Sequence, residues 1–197
     1  MTIFDARLKK IRDVLDFRLS EAEAKKNLLV GIPLIAVTGN GFFVNCGTSG
    51  SEIAAYDLDG QLIRRIRAPF SAVKIQGEAK KALSDRIPNM RGYEPVRMFI
   101  KEQEIYPRFQ ALFADDSGRL FVAGTETDPA SGANICDVFS PDGVLIFRTA
   151  LGYQNLLLSA LLNEPVFGVV FKKDRCYCLR EKADGFKEVV VYTMRWQ

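Results

Sequence analysis

Phe139-Ser140-Pro141-Asp142-Gly143-Val144-Leu145-Ile146-Phe147 is the stretch that decides the fold. An aromatic closes one apolar run, Pro141 presets φ at the second turn position, and Gly143 accepts the left-handed conformation that ends the turn. That is a type I turn followed by a bulge, joining two antiparallel strands. Tyr56-Asp57-Leu58-Asp59-Gly60-Gln61-Leu62-Ile63-Arg64 aligns with it without gaps. Phe4-Asp5-Ala6-Arg7-Leu8-Lys9-Lys10-Ile11-Arg12 does so too, but has Leu8 where the others have glycine. Its turn is therefore predicted to be strained or differently shaped. A hairpin used repeatedly signals a repeat architecture.

More strands lie ahead of each hairpin. Residues 34–38 and 42–46 flank Gly39-Asn40-Gly41, 111–115 and 120–124 flank Asp116-Ser117-Gly118-Arg119, and 166–171 and 176–180 flank Lys172-Lys173-Asp174. Aligned on these turns, Phe43, Phe121 and Tyr177 share one column, which predicts one packing role. Third strands follow at 52–56, 135–139 and 188–192. Strand, turn, strand, loop, strand, turn, strand gives a four-stranded antiparallel unit, the blade of a β-propeller. Beside the hairpins runs a second repeat, residues 23–33 and 78–88. Both copies are good helix formers that end in Ile-Pro, where proline stops the helix.

The expected fold is all-β, a single half-propeller domain over residues 1–197 with about three blades and short helical insertions. Residues 34–67 form one blade, 68–110 a helical and loop insertion, 110–149 a second blade, and 158–197 a three-stranded last blade. Residues 1–15 carry an outer strand, at 9–14, that lacks its inner three and closes the last blade.

Composition limits the chemistry. The chain has no histidine, which removes His-based triads, His general bases and His-ligated metals. Its 27 basic residues nearly balance 24 acidic ones and are scattered among them, so no nucleic-acid face is expected. The run Arg64-Arg65-Ile66-Arg67 reads as a solvated edge strand, where charge discourages edge-to-edge pairing. No run reaches the ~18 apolar residues of a membrane span. The first residues lack the apolar core of a signal peptide, which reads as cytoplasmic, or as envelope or periplasm if the chain is shortened at its start. Cys46, Cys136, Cys176 and Cys178 do not form two close pairs of the zinc kind. Cys176 and Cys178 share one face if on a strand, and the four read as small apolar residues packed in a sheet, with their disulfide state open.

Nothing in the sequence supplies a catalytic constellation, a metal site or a cofactor motif. Asp115-Asp116-Ser117-Gly118 opens like a calcium loop but lacks the later acidic ligand and fits a β-turn. Glu126, Asp128, Asn45 and Asn134 show no convergence. The glycines of Gly47-Thr48-Ser49-Gly50 read as a hairpin tip, without the strand-loop-helix setting of a phosphate cradle. Tyr93, Tyr106 and Arg108 stand in the insertion, the longest departure from the repeat, and are the candidate partner-binding residues, since Tyr and Arg dominate interface hot spots.

From about residue 106 to 196 the chain resembles the last part of bacterial six-bladed β-propeller proteins of the NHL-like kind. The residues carrying this are Tyr106-Pro107-Arg108-Phe109-Gln110-Ala111-Leu112-Phe113-Ala114-Asp115-Asp116-Ser117-Gly118-Arg119-Leu120-Phe121-Val122, with Asp137-Val138-Phe139-Ser140-Pro141-Asp142-Gly143 and Val191-Tyr192-Thr193-Met194-Arg195-Trp196. The resemblance implies the propeller fold and no particular activity. The chain departs from it in length, at roughly half of what six blades require. Three blades alone would expose apolar inter-blade surface, so the expectation is a homodimer of half-propellers, or a piece of a longer assembly. The expected role is a non-enzymatic binding or scaffold module for a protein or small ligand. The alternative is a calcium-dependent lactonase- or esterase-like hydrolase, since some propellers hold calcium in the central channel.

Overall fold

Alternating side chains and glycine-bearing turns give a stack of antiparallel sheets. The computed structural model describes residues 2–4, 7–13, 34–45, 52–69, 74–85, 94, 97, 100–101, 109–131, 133–151, 169–182 and 184–196. β1 (Thr2–Phe4) and β2 (Lys10–Asp13) form a two-stranded ribbon. β3 (Leu34–Thr38), β4 (Gly41–Asn45), β5 (Glu52–Asp57) and β6 (Leu62–Arg67) form the first four-stranded sheet, in chain order. β7 (Phe109–Ala114), β8 (Leu120–Thr127), β9 (Asn134–Phe139) and β10 (Leu145–Leu151) form the middle sheet, again in chain order. β11 (Val169–Lys172), β12 (Arg175–Glu181) and β13 (Lys187–Thr193) make a three-stranded last sheet. α1 (Gly77–Asp85) lies where the insertion was expected to be helical. The fold is all-β; the expected helix at 23–33 and Gly47 to Gly50 lie outside the described residues.

One turn is used four times. The amides of Gly60, Gly118, Gly143 and Gly185 donate back to the carbonyls of Asp57, Asp115, Ser140 and Lys182, each closing a type I turn. All four glycines have positive φ, between 78° and 82°. Leu8, aligned with Gly60 and Gly143, takes the same conformation at φ 60°. Its hairpin keeps the repeat's bulge: the register shifts between Ile3 and Phe4 as it does between Ala55 and Tyr56. The geometry of the turn therefore prevails over the preference of the leucine.

The hairpin at the front also changes the strand inventory. The outer strand expected at 9–14 is present as β2, but it is not alone, because Thr2, Ile3 and Phe4 pair with Asp13, Arg12 and Lys10. The segment supplies two strands, aligned with the third and fourth strands of the four-stranded sheets, rather than the single missing one. No pairing joins it to the last sheet among the described residues.

Sheets pack through alternate residues. Ala36, Phe43, Ile53, Ala55 and Ile66 of the first sheet meet Phe109, Leu112, Leu120, Val122 and Phe139 of the middle one. The middle sheet's opposite face offers Ala111, Phe121, Ala123, Cys136 and Val138 to Val169, Phe171, Cys176 and Cys178 of the last sheet. Thus Phe43 and Phe121 each face the following sheet. Tyr177 occupies the same column, on the side of the last sheet turned away from that core. β7 lies beside both β3 and β11, so the first strands of all three sheets are neighbours. On β6, Ile66 is buried while Arg65 and Arg67 are exposed, as expected for a solvated edge.

Replacing Leu8 with glycine should stabilise the protein by up to about 1 kcal/mol, since L-residues are penalised in the left-handed region. Gly143→Ala should do the reverse, by about 1–2 kcal/mol, because its φ is +78° and a Cβ there would stand 3.0 Å from Ile66 Cγ1. Urea unfolding midpoints of the two variants read both signs, and a neutral or destabilising Leu8→Gly would contradict the turn assignment.

Candidate functional site

The seam between the middle and last sheets concentrates the chain's unusual side chains. It begins at the turn after β7. Asp115 Oδ1 accepts from the amides of Ser117 and Arg119 at 3.0 and 2.9 Å, which folds the turn around its carboxylate. Asp115 Oδ2 receives Arg119 Nε at 2.6 Å. Arg119 then crosses to the last sheet, where Nη2 donates to Asp174 Oδ1 at 2.5 Å. Its guanidinium lies 3.9 Å above the ring of Trp196, whose Nε1 donates to the same Asp174 oxygen at 2.8 Å. One arginine thus joins two carboxylates and an indole, with hydrogen bonds and a cation–π contact acting together. Asp116 adds a second tie, accepting from the Lys173 amide.

These bonds settle what the acidic turn does. Asp115 and Asp116 are satisfied by N–H donors of the chain itself, as in a structural turn. Hydrogen bonds from Arg119 and Trp196 hold the Asp174 carboxyl below its ordinary range. Burial opposes the charge on Arg119, but its bonds to Asp174 and Asp115 prevail and keep its pKa above the usual value. Among the described residues no group of three or more Cys, Asp or Glu is gathered as a metal site.

Beneath the latch, Phe121 stacks on Phe171 with centroids 3.8 Å apart, and Trp196 meets Phe121 edge-on. Beside them opens a cavity of about 330 Å³ lined by Phe147, Thr149, Cys176, Tyr192 and Arg195 among others. Cys176 and Cys178 do share one face, with sulfurs 3.4 Å apart, and Cys136 joins them in the same apolar layer. All three are free thiols, and burial pushes that of Cys136 well up. A thiol held neutral in this way is an unreactive packing group, whereas the hydrogen bond from Cys176 lowers the pKa of the Cys178 thiol. Cys46 lies outside the described residues.

The middle sheet's other face holds a buried acid that its apolar neighbours conceal. Asp137 is 0% exposed, and neither carboxylate oxygen has a hydrogen bond, although Arg148 Nε stands 3.2 Å from Oδ1. Burial raises the Asp137 carboxyl above its usual range, against the pull of Arg148 and with the help of Glu126. Arg148 Nη2 in turn bonds Glu126 at 2.6 Å. Glu126 thus does converge with another carboxylate, through an arginine on the neighbouring strand. The sequence signal was a single Asp inside Ile135-Cys136-Asp137-Val138-Phe139.

Tyr93, Tyr106 and Arg108 all lie outside the described residues. The seam and the Asp137 cluster stand in their place as the sites the geometry offers.

No protein-family profile matches the chain, and no curated protein matches it. Among solved structures it is similar to a "putative glycoside hydrolase" from Parabacteroides distasonis, at 12% identity and a TM-score of 0.30. That likeness covers 83% of this chain and 50% of the other, so the chain spans about half the length of the structure it matches.

Arg119→Met should cost about 3 kcal/mol, because it strands the carboxylate of Asp115, whose side chain is 0% exposed. Asp174→Asn should cost less, its side chain being 56% exposed. The lone tryptophan reports both. Its emission should move to the red in Arg119→Met, and a shift absent from both variants would contradict the latch. The lowered Asp174 value means its contribution is whole above the ordinary carboxylate pKa of about 3.9 and is lost only as pH falls through the lower folded value. Asp137 has the opposite sign: its raised carboxyl weakens the fold as pH rises from the ordinary value through the folded one. Asp137→Asn should therefore raise the melting temperature at pH 7 and lose that advantage below pH ~4, as thermal scans at the two pH values will read.

Proposed function

We propose that this chain is an arc of a β-propeller and works as a non-enzymatic binding and scaffold module. The observation that carries the reading is the adjacency of β3, β7 and β11, with each sheet's Phe43/Phe121/Tyr177 face turned the same way. First strands side by side, and sheets stacked through one repeated face, are what a propeller built about an axis requires.

The same repetition leaves a face over. On the last sheet Val170, Tyr177 and Val191 form one cross-strand row, and Leu179 and Val189 the next. Val170, Val189 and Val191 are 57%, 63% and 48% exposed. Contiguous apolar residues on a sheet face mark an interaction surface. A second copy of the chain is the occupant that fits. On the first sheet's far side Ile35 and Val37 are exposed along β3, while Phe42 and Val44 of the same face are buried, so the second copy would meet that sheet along β3. Two arcs joined head to tail form a closed ring when each spans half a turn. The assembly offers loops and seams for a protein or small-ligand partner. The described residues hold no helix long and apolar enough to cross a membrane. A channel-bound divalent ion with hydrolase activity is the second reading; the Glu126 and Asp137 carboxylates, bridged by Arg148, would have to give up that arginine to hold it.

Light scattering at micromolar concentration should give twice the 22.1 kDa protomer mass, and Val189→Asp with Val191→Asp should return it to one. A wild-type protomer mass would contradict the ring. Calcium-dependent thermal stabilisation would favour the hydrolase.

A further inference from the structure

The last sheet stops one strand short of its neighbours. In the first and middle sheets a fourth strand, β6 or β10, pairs with the third; β13 has β12 on one side and an open edge on the other among the described residues. β13 is regular along its length, pairing with β12 from Lys187 to Thr193 without a register shift. Its sequence Lys187-Glu188-Val189-Val190-Val191-Tyr192-Thr193 has no proline. Its middle lacks charge, so it carries none of the devices that normally blunt an edge there.

The shortfall has a counterpart across the seam. The side of β10 that faces the last sheet carries Phe147, Thr149 and Leu151, and among the described residues no strand stands opposite its outer part. Phe147 is consequently 55% exposed. The cavity of about 330 Å³ is that vacated space, with Phe147 and Thr149 on one side and Cys176, Tyr192 and Trp196 on the other. Edge, roof and hollow coincide. Arg195 lines the same cavity just past the end of β13 and has no ion pair among the described residues.

We infer that this groove binds an extended peptide segment of a partner protein, which adds as the fourth strand of the last sheet. Main-chain hydrogen bonds to β13 supply affinity, and alternate side chains facing β10 supply selectivity. The hollow takes one bulky aliphatic side chain near the middle of the segment, since its walls are Phe147, Tyr192 and Cys176. Arg195 selects an acidic residue at the end that passes it. The partner strand runs antiparallel to β13, as β10 runs to β9. This deepens the binding-module reading and rests on it, but does not depend on ring closure. The apolar face used for closure is that of Val170 and Val191, whereas the peptide uses the β13 edge and the opposite side.

The test uses the full chain and a synthetic peptide, Glu-Thr-Ile-Thr-Leu-Thr-Ile-Lys, whose N-terminal Glu reaches Arg195 in the antiparallel pairing, followed through Trp196, the sole tryptophan. Saturable one-to-one binding with a change in Trp196 emission is expected. A peptide of the same composition without alternation should bind about tenfold more weakly or worse. N-methylating alternate amides along one edge of the peptide should abolish binding, and N-methylating those along the other edge should leave it intact, a pattern only strand addition produces. Thr149→Phe, which fills the hollow, should weaken the peptide about tenfold with the melting temperature unchanged. Equal loss from both N-methyl patterns, or no binding by the folded protein, overturns the proposal. So does saturable binding of anilinonaphthalene sulfonate where the peptide fails, which makes the hollow a small-molecule pocket. A dimer that ignores the peptide refutes the groove alone, and a monomer that binds it refutes the ring alone.

Discussion

The double burial of the middle sheet is the constraint on which the other features depend. Leu120 to Ala123 and Cys136 to Phe139 are all 2% exposed or less, although successive side chains on a strand point to opposite faces. Both faces must therefore be covered at once, one by the first sheet and one by the last. Each fully buried Leu, Val or Phe contributes roughly 1.5–3 kcal/mol, so the two seams are the main source of stability. A sheet buried on one side only would not have demanded the third layer. Because the demand is the same at each seam, the same turn and the same aromatic column recur.

Polar groups then decide how the layers are held. At the outer seam Arg119 reaches from the turn of one sheet to the turn and tail of the next, and its partners Asp115, Asp174 and Trp196 fix the angle between them. At the inner seam the ties are weaker: Arg64 stands 3.7 Å from Asp142 at the surface, and Asp137 is buried without a hydrogen bond. The outer seam is tightly fastened by this latch yet hollow beside it, where the last sheet has no fourth strand among the described residues. A rigid edge next to a roofed gap is a preorganised place for a strand, because ordering costs are already met by the scaffold.

Much of this was legible in the chain, for reasons that are local. Pro141 with Gly143, and Asp59 with Gly60, specify their turns by backbone preference alone, and the strands beside them alternate visibly. The shared face of Cys176 and Cys178 follows from a two-residue period. What was not legible depends on distant partners. Arg119 meets Asp174 and Trp196 across 55 and 77 positions of sequence, and no short-range pattern announces it. Leu8 obeys its hairpin against its own preference. Thr2 to Phe4 is too short a run to be read as a strand before its pairing is known. The hollow lies where the described last sheet has three strands against its neighbours' four, which only the assembled layers reveal.

Amide hydrogen exchange, resolved by residue, tests the double burial most directly. If both faces of the middle sheet are covered, the amides of Leu120 to Ala123 and Cys136 to Phe139 should be the slowest in the protein, with alternate amides of β13 exchanging far faster along its open edge. Exchange in β8 and β9 no slower than in β13 would contradict a sheet packed on both sides, and the layered account would fall with it.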